Sequence, residues 1–254
     1  MLLVADVGNT NIVIGVWDGA RLVHRFRITT RLKATSDEYR SLLHSLLQPA
    51  DLAPDGFDGA ILSSVVPPLI PRIEKVIEQV TGHAPLVVGP GIKTGLNVLY
   101  EDPREVGADR IVNCVAALSL HEAPLVVVDF GTATTFDVVI PPADYLGGAI
   151  APGIEISREA LAERTARLPR VELALPGTVV GRTTVESLCS GILLGHGAMV
   201  DGIVARIEQE CGIQAKVVAT GGFGELMRRA SARIDAVDPN LTLLGLRLLW
   251  ERNK

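Results

Sequence analysis

Three cysteines in 254 residues, at positions 114, 189 and 211 and without a CxxC pair, make neither a disulfide framework nor a thiolate zinc site. They are expected to be free thiols of a reducing compartment. The five histidines are scattered, with no zinc-ligand spacing. No lysine–arginine block relieves a net charge of −5 and a pI of about 5.6, so neither a nucleic-acid nor an anionic-membrane partner is expected. No uninterrupted apolar run approaches the roughly 20 residues of a membrane span. The opening residues read as a strand and not as a secretory signal, so the expected location is the cytoplasm. Two familiar phosphate loops are missing as well: GxxxxGK followed by Ser or Thr occurs nowhere, and no GxGxxG follows a strand.

What is present starts with LLVADVGNTN, residues 2–11, where four apolar residues lead to the acid Asp6, then Gly8 and the small polar pair Asn9-Thr10. Residues 2–5, 12–17 and 22–28 read as three strands, the second pair joined at Asp18-Gly19. Thr35 with Glu38 forms a capping box for a helix whose one face carries Tyr39, Leu42, Leu43, Leu46 and Leu47. A strand is expected over 60–66. A helix bearing Leu69, Ile70, Ile73, Val76, Ile77 and Val80 stops at Gly82. A strand over 86–88 follows, then a helix from near Gly107.

The pattern then restarts. LVVVDFGTATTFDVVI, residues 125–140, again places an acid and a glycine at the end of an apolar run, with Asp6, Gly8 and Asn9 matching Asp129, Gly131 and Thr132 at an offset of 123. A third strand near 145–151, a helix over about 157–166, a second capping box (Thr183 with Glu186) opening a long helix to about 210, a strand over 216–220 ending on Gly221-Gly222, and a last helix from Pro239-Asn240 complete the order. With 48% hydrophobic residues the chain can build such cores. The reading is two similar α/β halves, 1–121 and 122–254, each a helix-covered sheet, with Asp6 and Asp129 facing each other across a cleft.

An acid leaving a buried strand needs a partner, and a divalent cation with its waters is one. The turn glycines let backbone amides approach a phosphate, and Asn9, Thr10, Thr132, Thr134 and Thr135 can donate to its oxygens. A plain hairpin turn remains the alternative for either copy alone. Glycines 191, 195, 197 and 202 in the long helix permit close packing, either within the chain or against a second copy.

DVGNT (6–10), GADR (107–110), DFGTATT (129–135), GGAIAPG (147–153) and TGG (220–222) resemble the signatures of type III pantothenate kinases, within the superfamily of actin, hexokinases and chaperone ATPases. The resemblance spans almost the whole chain. It implies two ribonuclease-H-like halves, ATP and magnesium, and transfer of the γ-phosphoryl group to the primary hydroxyl of pantothenate, the first step of coenzyme A biosynthesis. It assigns ATP to Asp6, Val7, Gly8, Asn9, Thr10, Asn11, Ile12, Val13 and Thr132. It assigns pantothenate to Tyr100, Gly107, Ala108, Asp109, Arg110 and Thr184, with Asp109 as general base. Asp129 is implied to hold a monovalent cation (potassium or ammonium) and Asp6 to hold magnesium, through water. A cytoplasmic homodimer is implied too. Asp102 stands where many members have Asn, and Gly224 where many have Ala. The rival readings are another phosphotransferase of the superfamily, such as an acetate or sugar kinase, and an ATP-binding accessory protein without kinase activity.

Overall fold

The computed structural model describes residues 1–50, 52 and 56–254. In chain order its elements are β1 (Leu2–Val7), β2 (Asn11–Asp18), β3 (Arg21–Thr29), α1 (Ser36–Leu47), β4 (Gly59–Ser64), α2 (Ile70–Thr81), β5 (Leu86–Val87), β6 (Asn97–Val98), α3 (Ala108–Leu120), β7 (Leu125–Phe130), β8 (Ala133–Ile140), β9 (Asp144–Pro152), α4 (Ile154–Arg164), α5 (Thr184–Cys189), α6 (Gly195–Cys211), β10 (Lys216–Gly221), α7 (Gly224–Arg228), β11 (Ala236–Val237) and α8 (Leu241–Asn253). They form two compact units: Met1–Gly95, Glu101–Ala116 and Leu241–Lys254 in the first, Leu96–Tyr100 and Ala117–Asn240 in the second. The division interleaves the chain. The two sheets fall on either side of residues 121/122, while α8 belongs with the first unit and β6 with the second.

Unit 1 is a five-stranded sheet in the order β3-β2-β1-β4-β5. β1 pairs antiparallel with β2 and parallel with β4. Alternation along the strands sends Leu3, Ala5, Val7, Ile12, Ile14 and Val16 into one core with Tyr39, Leu43 and Leu47 of α1 and Ile73, Val76 and Ile77 of α2. The α1 stripe is narrower than its spacing predicts, because Leu42 is 40% exposed. Both expected caps are present: the reciprocal Thr35–Glu38 box, and Gly82 in the left-handed conformation (φ 72°). The opposite sheet face takes α8, whose Leu243 lies against Gly15, and α8 meets α3 at Gly245, where an added Cβ would sit 2.1 Å from the carbonyl oxygen of Val112.

Unit 2 repeats the order as β9-β8-β7-β10-β11, with β6 added at the β9 edge. Its core joins Val126, Val128, Phe130, Phe136 and Val138 to Ile154 of α4, Val200 and Val204 of α6, and Met227 of α7. The burial patterns of β1 and β7 are identical, and both second strands carry a register shift, after Val16 and after Val138. α4 starts three residues earlier than expected because Gly153 takes its N-cap position. The long helix opens with the expected Thr183–Glu186 box, but a π-turn, Ser190–Leu194, separates α5 from α6. By length and composition the stretch Thr184–Cys211 could cross a membrane, which a search for uninterrupted apolar runs does not show. In the fold 44% of its most apolar window is buried, and Ile192, Leu193, Val200 and Val204 are core residues of unit 2. Of its glycines, 197 lets the backbone approach Ala230, while 191, 195 and 202 face open space.

Candidate active site

In unit 1 the predicted acid sits one residue before the end of β1. Its neighbour in parallel β4 is Ser63, fully buried, whose Oγ donates to Asp6 Oδ1 at 2.6 Å. Burial pushes the Asp6 carboxyl up to about 7; the Ser63 hydroxyl opposes the shift and the charge of Asp109 adds to it. Asp109 is therefore close enough to Asp6 for the two charges to interact. It lies in the first turn of α3, where Asp109 Oδ1 accepts the Arg110 backbone N–H at 2.8 Å. Burial raises its pKa too, against that N–H and the Arg110 guanidinium. A Cβ on Gly107 would stand 2.6 Å from Asp109 Oδ1, so the glycine of GADR makes room for the folded-back carboxylate. Arg110 is buried.

The Gly8–Thr10 turn is closed by Gly8 N–H donating to the Asn11 carbonyl at 3.0 Å, and it is fastened to β3 by Thr30, whose hydroxyl donates to the Gly8 carbonyl at 2.7 Å and whose N–H donates to the Thr10 carbonyl at 2.9 Å. Asn9 and Thr10 are exposed and Asn11 is half-buried. Val7 and Ile12, also in the predicted nucleotide segment, turn their side chains into the core and offer only backbone to a ligand. Asp102 caps the 3₁₀ turn Pro103–Glu105 that leads to Gly107, and Arg104 Nε and Nη2, each 2.9 Å from a carboxylate oxygen of Asp102, hold its pKa low. That ion pair is what an Asn at position 102 would lack.

In unit 2, Asp129 pairs in register with Thr135 on β8 and Thr220 on β10. Gly131 N–H donates to the Ala133 carbonyl at 3.1 Å, the counterpart of the Gly8 bond. The second turn is one residue shorter: Val7 pairs with Ile12, but Phe130 pairs with Thr134. The offset of 123 thus holds through Thr132 and becomes 122 beyond it, which puts Thr134 where Ile12 stands. Thr134 is fully buried, on the strand face of Phe136 and Val138, and its hydroxyl is not available to a phosphate; this corrects the expectation for that residue. Thr135 donates to Asp137 at 3.3 Å, and Asp137 also accepts from the buried Tyr145 hydroxyl at 2.7 Å. Two glycines close over the turn. A Cβ on Gly153 would lie 2.1 Å from the Thr132 carbonyl, and one on Gly221 (φ 89°) 2.5 Å from Asp129 Oδ1.

Tyr100 also belongs to unit 2. β6 hangs its segment on β9, through Asn97 N–H to the Ala143 carbonyl and Leu99 N–H to the Tyr145 carbonyl, each 2.9 Å, and through Asn97 Nδ2 to Asp144 Oδ1 at 2.9 Å. The Tyr100 ring rests on Gly147 (φ 105°), where a Cβ would be 2.9 Å from Cε2. Thr184 is exposed at the first turn of α5, and Glu186 accepts the N–H groups of Arg182 (2.7 Å) and Thr183 (3.2 Å) in that turn. The residues that motif reading did not single out are Ser63 and Gly147's role under Tyr100. For Ser63 a signal existed: β4 (GAILSS) and β10 (KVVATG), the strands beside the two acids, each carry a buried hydroxyl residue one position before their end, Ser63 and Thr220.

A family model described as type III pantothenate kinase matches residues 2–206. The type III pantothenate kinase of Pelobacter propionicus is 53% identical over 254 residues, covering 100% of both chains. That of Geobacillus is 50% identical over 253 residues, covering 100% of this chain and 98% of the relative. Among solved structures, a conserved putative Baf family transcriptional activator from Campylobacter jejuni aligns with a TM-score of 0.61 at 20% identity over 99% of this chain and 98% of the other. A ROK hexokinase from Thermus thermophilus aligns at 0.53 and 15% identity over 98% and 97%. At these identities the structures show a shared fold and nothing beyond it.

Proposed function

This chain belongs to the type III pantothenate kinase family, and on that premise we propose that it transfers the γ-phosphoryl group of ATP to the primary hydroxyl of pantothenate, giving 4'-phosphopantothenate, the first step of coenzyme A biosynthesis. The observation that carries the reading is the pairing in unit 1 of a phosphate-turn acid, Asp6, with a second carboxylate, Asp109, near enough to raise its pKa. Phosphoryl transfer needs an aligned hydroxyl, neutralised charge and little covalent help from the protein. Asp109, its pKa raised by burial, accepts the hydroxyl proton as the oxygen attacks. Gly107 and the Arg110 N–H fix where that carboxylate points. Arg110 serves the substrate carboxylate or steadies the base, and Ala108, Tyr100 and Thr184 complete the pantothenate contacts. Asp6, Val7, Gly8, Asn9, Thr10, Asn11, Ile12, Val13 and Thr132 take ATP, the apolar members through their backbone.

The donor set at Asp6 fits magnesium, which takes one or two carboxylates and completes its shell with water and phosphate oxygens. Among the described residues no group of three or more His, Cys, Asp or Glu side chains forms an all-protein cage. Asp6 would hold magnesium through water, and the ion's contribution when bound is to neutralise phosphate charge. Asp129, packed against the Gly221 backbone, offers hard oxygen donors suited to potassium or ammonium. A homodimer is proposed on the family membership alone. A cytoplasmic location agrees with this metabolic role. An accessory role without turnover is not favoured, because a binding module needs no base at the head of α3.

The deciding experiment is a coupled ADP-release assay with pantothenate, ATP, magnesium and potassium, on wild type and Asp109→Asn. Pantothenate- and potassium-dependent turnover that falls about 100-fold or more in the variant is expected. Folded wild-type protein without pantothenate-dependent turnover would overturn the assignment.

A further inference from the structure

The nucleotide turn of unit 1 has a missing charge. Residues 6–13, DVGNTNIV, contain no cation, and no P-loop lysine exists elsewhere to take its place. Yet a triphosphate brings several negative charges that a kinase must offset. The sheet register shows where a cation stands. On the face that carries Asp6, one row across four strands reads Ser63, Asp6, Val13, Arg27. The opposite face is the buried core, so strand alternation places Arg27 and Arg25 on the Asp6 face. Arg27 is two strands from Asp6, about 10 Å between backbones, and Val13 is the residue between them in that row. The strand that bears it is tied directly to the turn: Thr30, three residues on, bonds the carbonyls of Gly8 and Thr10.

Arg27 is exposed and, among the described residues, neither it nor Arg25 forms an ion pair. Their like charges instead oppose one another: burial and then the neighbouring Arg27 lower the pKa of Arg25. Two unpaired guanidiniums side by side are relieved by an anion placed over them. A solvated pair guarding an edge strand is the competing account, and it makes no demand that the pair share a face with the phosphate turn.

We propose that Arg27, backed by Arg25, is a phosphate-binding residue for the nucleotide held at the Gly8–Thr10 turn. The guanidinium reaches over Val13 and bonds phosphate oxygens through two parallel N–H groups, the geometry an arginine supplies and a lysine does not. The inference rests on the reading that this turn takes ATP.

The test is a calorimetric binding series on the full chain with magnesium: ATP, ADP, AMP and adenosine against wild type, Arg27→Ala and Arg27→Lys, with thermal melting of each. Arg27→Ala is expected to weaken ATP about 10- to 100-fold, to weaken the shorter phosphates less and to leave adenosine unchanged. Arg27→Lys is expected to fall between, and all three melting temperatures to agree. Unchanged ATP affinity in folded Arg27→Ala, or equal losses for ATP and adenosine, overturns the proposal. The series does not use pantothenate. If wild type binds ATP but phosphorylates no pantothenate, the functional assignment fails and the series still decides Arg27; if wild type binds no ATP, both fall.

Discussion

Ser63 donates its hydroxyl to Asp6 across the β1–β4 pair at 2.6 Å, from the register position directly beside it. It donates to a carboxyl whose pKa is already raised to about 7, and its hydroxyl opposes that rise. Removing it takes away a lowering influence. Ser63→Ala is expected to move the acid limb of the pH–kcat/KM profile for ATP to higher pH and to reduce activity at pH 7 about tenfold or more. Ser63→Thr, which keeps the hydroxyl, should restore the wild-type limb. The pH–rate profiles of the three proteins check this.

The same carboxyl sets a stability cost with a definite sign. A group that binds its proton more tightly when folded than its ordinary value of 3.8 favours folding at low pH, and that contribution is lost as pH rises through about 7. Asp6→Asn is therefore expected to be inactive yet to stabilise the metal-free protein at pH 8, by on the order of 2 kcal/mol after allowing for partial solvent access. At pH 4 the two proteins should melt together. Melting curves at both pH values decide it.

Because the charge of Asp109 raises the Asp6 pKa, Asp109→Asn has a second effect besides loss of the base. In this variant Asp6 should release its proton at lower pH. The pH at which magnesium-dependent nucleotide binding is half-maximal is expected to fall, even though turnover is lost.

Gly147→Ala adds a methyl group 2.9 Å from the Tyr100 ring at a backbone with φ 105°. The strain costs about 1–3 kcal/mol, and the ring must shift. KM for pantothenate is expected to rise roughly tenfold with KM for ATP unchanged. Equal changes in both constants would show a general loss of structure instead.

Gly245→Ala tests the seat of α8 on α3. The new Cβ would lie 2.1 Å from the Val112 carbonyl oxygen, a backbone atom that cannot swing aside. A loss of about 3 kcal/mol or more is expected, seen as a lower urea midpoint.

Strong local chemistry was legible in the sequence. The Thr35–Glu38 and Thr183–Glu186 boxes, Gly82 as a C-cap and the two Asp-x-Gly turns all appear where their residues predict, since each depends on neighbours within a few positions. β6 and β11 were not legible, because two residues such as Asn97–Val98 carry no periodicity and form only when a longer strand accepts them. The one-residue contraction of the second turn was hidden too: the Asp129–Thr132 match gives no sign that Thr134 has moved onto the core face. Ser63 and Arg27 lie 57 and 21 residues from Asp6, and only the strand register brings them to one row.

The interleaving of the chain also orders its birth. β1 to β4 leave the ribosome first, but α8 emerges only after every residue of unit 2 has been made. Until then Gly59 lacks the Trp250 ring that packs on it and Gly15 lacks Leu243, so one face of the first sheet waits in water. The unit begun second is thus completed first, and the nascent chain carries an unfinished, chaperone-accessible lobe through most of translation.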